Sequence, residues 1–126
     1  MLELLTLPFP HVVGVRVSGK INHTDIEIIL TELERKLIDE DNLNIFIELD
    51  HFDGFTIRAW LKEMQFLAKY INRFTRTAIL GEARWFTRGS RLIKRAFPNI
   101  EVEHFIPLQK DEALIWVSER DVATFG

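Results

Sequence analysis

The amino-acid sequence predicts an α/β domain. It has a mixed five-stranded sheet, built from an N-terminal antiparallel hairpin and then parallel β-α units, with about four helices. Three observations predict it. Short segments with an apolar residue at every second position recur along the 126 residues, the pattern of strands with one apolar face. Between them lie segments whose apolar residues recur every three to four positions, as in amphipathic helices. The two kinds alternate, and strands separated by helices pair in parallel through right-handed crossovers. At this length residues 1–126 form a single domain with a proper core.

Leu2 to Thr6 is the first short strand, stopped by Pro8 and Pro10, whose fixed φ and missing N–H force a turn. Val12 to Ser18 is the second, with Val13, Val15 and Val17 on one face and Gly14, Arg16 and Ser18 on the other. The short connection predicts an antiparallel pair, and Gly19 ends the strand. Thr24 with Glu27 three residues later reads as a capping box. It opens a helix whose stripe is Ile26, Ile29, Leu30, Leu33 and Leu37 and which ends near Asp39. Asp39-Glu40-Asp41-Asn42 lacks the spaced ligands and the glycine of a calcium loop and is read as solvated.

The chain is organised around Leu43 to Met64. Leu43, Ile45, Ile47 and Leu49 alternate with Asn44, Phe46 and Glu48. Asp50, Asp53 and Gly54 then break the pattern as turn residues do. From there the period becomes helical through Ile57, Trp60, Leu61, Met64, Leu67, Ala68 and Ile71, with Thr56 as N-cap and Asn72 at the close. Arg76 to Gly81 is the fourth strand and Trp85 to Phe97 the third helix, stopped by Pro98-Asn99. Ile100 to Phe105 is the fifth strand. Pro107 starts a turn, and Ala113 to Val117 lies in a last short helix. Arg16, Glu48, Arg76 and Glu101 or Glu103 occupy the polar faces of successive strands. This predicts charges alternating in sign across one sheet face, open or partly covered, with the helices crowded on the other.

The loop after the third strand, feeding a helix N-terminus, is where open α/β domains place function. Its histidine, His51, lies near Asp50 and Asp53, but such trios serve mostly as turn formers. His11, His23 and His104 are scattered, with no i, i+4 ligand pair, and His104 is read as a satisfied residue of the apolar face. There is no Gly-rich phosphate loop and no Gly-x-Ser-x-Gly elbow, and Ser90 follows Gly89 with no base at hand. The sequence contains no cysteine, so a disulfide frame or thiolate metal site is excluded. No catalytic residue, metal or cofactor is therefore expected, and the chain is read as a non-enzyme. No run reaches the roughly 18 apolar residues of a membrane span, and no signal peptide is visible, so a cytoplasmic location is expected.

Four stretches resemble the SpoIIAA-like family, a branch of the STAS domains. They are Gly19-Lys20-Ile21 before Thr24-Asp25; Phe52-Asp53-Gly54-Phe55; Ala78-Ile79-Leu80-Gly81-Glu82-Ala83-Arg84-Trp85; and Ala113-Leu114-Ile115-Trp116-Val117. The resemblance spans nearly the whole chain. It implies a fold shared with lipid-carrying CRAL-TRIO domains, and a binding or regulatory module in place of a catalyst. In anti-sigma factor antagonists of this superfamily, the loop before the second helix carries a phosphorylated serine. Here that loop has no serine, and Thr56 is its sole hydroxyl, a phospho-site candidate whose plainer reading is a helix cap.

Aromatics and charge carry the remaining signals. Of 14 aromatics, ten are Phe. Trp60, Met64, Trp85, Phe86 and Leu92 are candidates to line an apolar pocket between the second and third helices, holding a nonpolar small molecule or lipid. The alternatives are a bulky core or a homodimer contact. The net charge of −3 is unevenly spread: residues 1–57 hold 4 basic and 11 acidic side chains, residues 58–95 hold 10 and 2, and residues 96–126 hold 2 and 6. Arg84, Arg88, Arg91, Lys94 and Arg95 step along the third helix beside Trp85 and Phe86. A basic amphipathic helix of this kind suits an anionic membrane surface, here the inner one; a solvated helix face is the plainer reading. Nucleic acid is disfavoured by the acidity of the rest of the chain. Two classes stay open: a lipid-like ligand carrier associated peripherally with membranes, or a protein-interaction module resembling an anti-sigma factor antagonist.

Overall fold

The computed structural model describes residues 1–19, 22–52, 73–83 and 98–119. Among them are five strands, β1 (Leu2–Leu5), β2 (Val12–Gly19), β3 (Leu43–Phe52), β4 (Phe74–Leu80) and β5 (Glu101–Phe105). Two α-helices accompany them: α1 (His23–Leu37) and α2 (Lys110–Ser118), the latter led in by a 3₁₀ turn at Pro107–Gln109. The second and third predicted helices, at 57–72 and 85–97, lie outside the described residues. The strands stand in chain order, β1-β2-β3-β4-β5. β1 is antiparallel to β2, and the other three pairings are parallel. The sheet is thus the predicted hairpin followed by parallel units.

One side of the sheet is packed as the alternation of β2 and β3 requires. Val13, Val15, Val17, Leu43 and Ile47 form one core with Ile26, Ile29, Leu33 and Leu37 of α1. The box that starts α1 lies two residues before the expected Thr24–Glu27 pair. Asn22 Oδ1 accepts from the Asp25 amide at 2.9 Å, and Asp25 Oδ2 accepts from the Asn22 amide at 3.1 Å. The helix stops at Leu37, before Asp39, where Arg73 reaches the carbonyls of Leu37, Glu40 and Asp41 from the start of β4. Beside it, the Lys36 ammonium donates to the Val12 carbonyl at 2.8 Å, and its partial burial lowers its pKa.

The other side departs from expectation. Arg16 and Glu48 do share it, as predicted, and face each other in register. Its centre, however, is apolar and closed. Phe46 is 0% exposed, and Val12, Ala78, Leu80 and Phe105 join it in a second core with Ala113 and Val117 of α2. Leu5, Leu7 and Phe9 seal its flank. Gly14 is what lets them in: a Cβ there would stand 2.7 Å from Leu7 Cδ1. The charges therefore do not form one alternating row. The apolar centre divides them into a Glu3–Arg16–Glu48 group and an Arg76–Glu101 group.

α2 is fixed on this face by its own C-terminal end. The last carbonyls of a helix have no intrahelical donor, and here the sheet supplies the donors. The Asn44 side chain, 3% exposed, donates to the carbonyls of Val117 at 2.7 Å and Glu119 at 3.1 Å. Its Oδ1 accepts from the Thr75 hydroxyl and from the Arg76 amide. His11 Nε2 donates to the Ser118 carbonyl at 2.7 Å, and Arg76 Nη1 donates to that of Trp116 at 2.9 Å. All four functional positions of the Asn44 amide are thus used.

Replacing Asn44 by Ala would leave these partners unpaired at once, the Val117 carbonyl fully buried and the others partly so. Leaving buried polar groups unpaired costs ~1–3 kcal/mol apiece, so Asn44→Ala is expected to lower the unfolding free energy by about 3 kcal/mol. Urea unfolding reads this as a lower midpoint at unchanged slope. A loss below about 1 kcal/mol would mean that α2 is held by its apolar side alone.

Candidate functional site

The parallel strands end at one rim of the sheet, where the sequence places function. β3 runs to Phe52, so Asp50 and His51 belong to the strand and the loop begins later than predicted. Its neighbour β2 ends at Gly19 with φ +59, a left-handed conformation that glycine adopts without a Cβ penalty. The register shifts between Ser18 and Gly19, so that Gly19 stands opposite Phe52; irregularities of this kind re-aim a chain at strand ends. Thr56, the phospho-site candidate, follows outside the described residues. So do the proposed pocket residues Trp60, Met64, Trp85, Phe86 and Leu92, and the basic set Arg84, Arg88, Arg91, Lys94 and Arg95. What the described frame fixes is where their two segments leave and rejoin the sheet: after β3 and before β4, and after β4 and before β5.

Near that rim lies the first charged group. Arg16 Nη2 donates to Glu48 Oε2 at 3.2 Å, and Arg16 also stands 3.6 Å from Glu3. Lys110 Nζ at the N-terminal end of α2 lies 3.8 Å from Glu48 Oε1. α2 therefore runs antiparallel to β3, its start over Glu48 and its end over Asn44. Each cation of this group has a carboxylate beside it, so the group offers little to an anionic ligand.

The opposite rim holds a groove of about 480 Å³, lined by Thr75, Arg76, Pro98, Asn99, Ile100, Glu101 and Glu119. Sequence reasoning did not find it, because its residues come from three separate segments. Arg76 stands at its centre, 3.3 Å from Glu101 and 3.0 Å from Glu119, with its guanidinium 4.9 Å from the centroid of the Trp116 ring. Trp116 packs in turn against Phe105. The arginine is committed to structure: it caps α2, stacks on an indole and binds two carboxylates. Neither rim assembles a nucleophile with a base among the described residues. Among those residues no group of three or more His, Asp or Glu is placed to hold a metal ion. His104 meets its expectation as a satisfied residue, with Nε2 donating to the Gly81 carbonyl at 2.8 Å.

Among the described residues, a mixed sheet in chain order with one helix on each face defines a small α/β domain. The SpoIIAA-like family model matches residues 12–118, and the chain belongs to that family. No functionally curated protein matches it. Among solved structures it is similar to a protein of the DUF3478 family with a SpoIIAA-like fold from Shewanella loihica PV-4, at 23% identity and a TM-score of 0.65, over 93% of this chain and 92% of that one. At that identity the likeness shows the fold.

Arg76 gives the site its sharpest test. Arg76→Lys keeps the charge but loses the planar contact with Trp116 and the forked geometry that reaches a carbonyl and carboxylates together. The substitution is expected to cost about 1–2 kcal/mol, seen as a lower thermal midpoint. An unchanged midpoint would reduce Arg76 to a surface cation.

Proposed function

We propose that this domain is a non-catalytic binding module that takes a nonpolar, lipid-like ligand and attaches peripherally to the inner, anionic membrane surface. The observation that carries the reading is the segregation of charge. Residues 84–97 hold five basic and no acidic side chains, and residues 98–119 hold five acidic and one basic. That one, Lys110, turns to Glu48. If that division in sequence becomes a division in space, the basic segment faces lipid phosphates while the acidic one is repelled by them, which orients the domain on the surface. Trp85 and Phe86 stand at the start of the basic run, where amphipathic rings suit the headgroup level.

The ligand reading rests on topology. β3, β4 and β5 are parallel neighbours, and right-handed crossovers between them would carry segments 53–72 and 84–97 to the α1 side of the sheet. Side by side there, Trp60 and Met64 would meet Trp85, Phe86 and Leu92 as walls of an apolar pocket. No helix among the described residues is long and apolar enough to cross a membrane, and the proposed attachment requires none.

Co-sedimentation with vesicles containing anionic lipid is expected to pellet the protein at low salt and release it at high salt. Each basic residue near such a surface contributes about 1 kcal/mol, so replacing Arg88, Arg91 and Arg95 by Gln should weaken binding roughly a hundredfold. Binding that is absent, or indifferent to the triple replacement, removes the membrane reading. Native mass spectrometry of the purified protein tests the pocket separately, through a co-purified nonpolar molecule. Phosphate found on Thr56 in protein from its source cells would move the reading to the anti-sigma antagonist type.

A further inference from the structure

We infer that the outer side of α2, with the adjoining face of β5, is a docking surface for a basic amphipathic segment of another protein. α2 packs on the sheet through Ala113 and Val117, yet its opposite side is not polar throughout. Leu108 is 94% exposed and Ile115 is 63% exposed. Their spacing of seven residues puts them on one side of the helix and its lead-in turn, two turns and about 10 Å apart. Aligned in this register the two form a short apolar stripe, and Ile106 adds a third exposed aliphatic at the turn.

The charges around this stripe say what fits it. Asp111 and Glu112 lie between Leu108 and Ile115 and are exposed. On the same face of the sheet Glu103 of β5 is also exposed. Among the described residues neither Glu103 nor Asp111 has an ion-pair partner, whereas Glu101 and Glu119 are held by Arg76. Lys110, the cation of the helix, is drawn aside to Glu48. Among the described residues the surface is therefore apolar with an unneutralised acidic border. An occupant must cover two aliphatic side chains and bring cations between and beside them, which is the chemistry of a basic amphipathic helix. A second copy pairing through α2 about a two-fold axis would set Asp111 and Glu112 against their own counterparts, like charge on like charge. This surface lies on the side of the sheet away from α1 and does not rest on the membrane reading.

The experiment titrates the full-length chain into a labelled helical peptide of Leu and Lys at amphipathic spacing, read by fluorescence anisotropy. A control peptide carries Glu at every Lys position. The expected result is binding of the Lys peptide alone, weakening with salt. Leu108→Ser with Ile115→Ser should weaken it by roughly tenfold or more without lowering the thermal midpoint, since both side chains stand in water. Glu103→Gln with Asp111→Asn should also weaken it, while Glu27→Gln with Glu34→Gln on α1 should leave it unchanged. Equal binding of both peptides, indifference to the Leu108 and Ile115 replacements, or equal loss from the α1 replacements would overturn the proposal. So would sedimentation showing a dimer that these two replacements dissolve, which would give the surface to a second copy.

Discussion

The side-chain amide of Asn44 is the interaction on which the two-sided packing of this domain depends. A helix laid on a sheet by apolar contacts alone can slide and turn, because dispersion and the hydrophobic effect are not directional. Hydrogen bonds to the orphan carbonyls at its end are directional. Asn44 donates to two of those carbonyls and accepts from Thr75 and Arg76 of the neighbouring strand, so it ties β3, β4 and α2 at one point. His11 and Arg76 bring β2 and the rest of β4 to the same helix end. A shift of α2 by one residue would break every one of these bonds while leaving much of the apolar contact in place. That difference is what selects a single arrangement.

Much of this fold can be read in the sequence, and the limits have physical reasons. The strands were legible because Val13, Val15 and Val17 alternate with smaller or polar neighbours, and parallel order followed from the intervening helical periods. The second face was misread because Asn44 and Phe46 share a side with Glu48. One charged residue on a strand face suggests solvent, but the pattern cannot reveal that a helix some seventy residues later supplies carbonyls to a buried amide. Thr24 reads as the cap because Thr and Glu at that spacing are a known pair. Asn22 and Asp25 satisfy the same geometry with shorter side chains, and local sequence does not rank the two. The candidate site residues belong to the two connections outside the described frame, so periodicity and charge remain their whole support. The groove around Arg76 was invisible for another reason, since it exists only after β4, β5 and α2 have met.

The treatment of charge divides the molecule. Arginines within the fold are enclosed by carboxylates and carbonyls: Arg16 by Glu3 and Glu48, Arg73 by the end of α1, Arg76 by Glu101 and Glu119. They act as struts, with charge-assisted hydrogen bonds that are stronger than neutral ones. Among the described residues the acids of β5 and α2 are only partly matched by such cations, and residues 84–97, just before β5 in the sequence, hold five basic and no acidic side chains.

The order of strands has a consequence for how the chain becomes a protein. Each strand pairs with its neighbour in sequence, so the sheet can grow as the polypeptide lengthens, without waiting for distant segments. The α1 side can begin to close as soon as β3 has joined β2, because α1 lies between them in the chain. The opposite side cannot. Phe46 and the Asn44 amide face it early, while the carbonyl of Val117 lies 73 residues downstream. During synthesis that surface lacks its cover until α2 leaves the ribosome, and the nascent domain passes through a stage with one face begun and the other still open. α2 is the bolt that converts a half-built sheet into a cooperative fold.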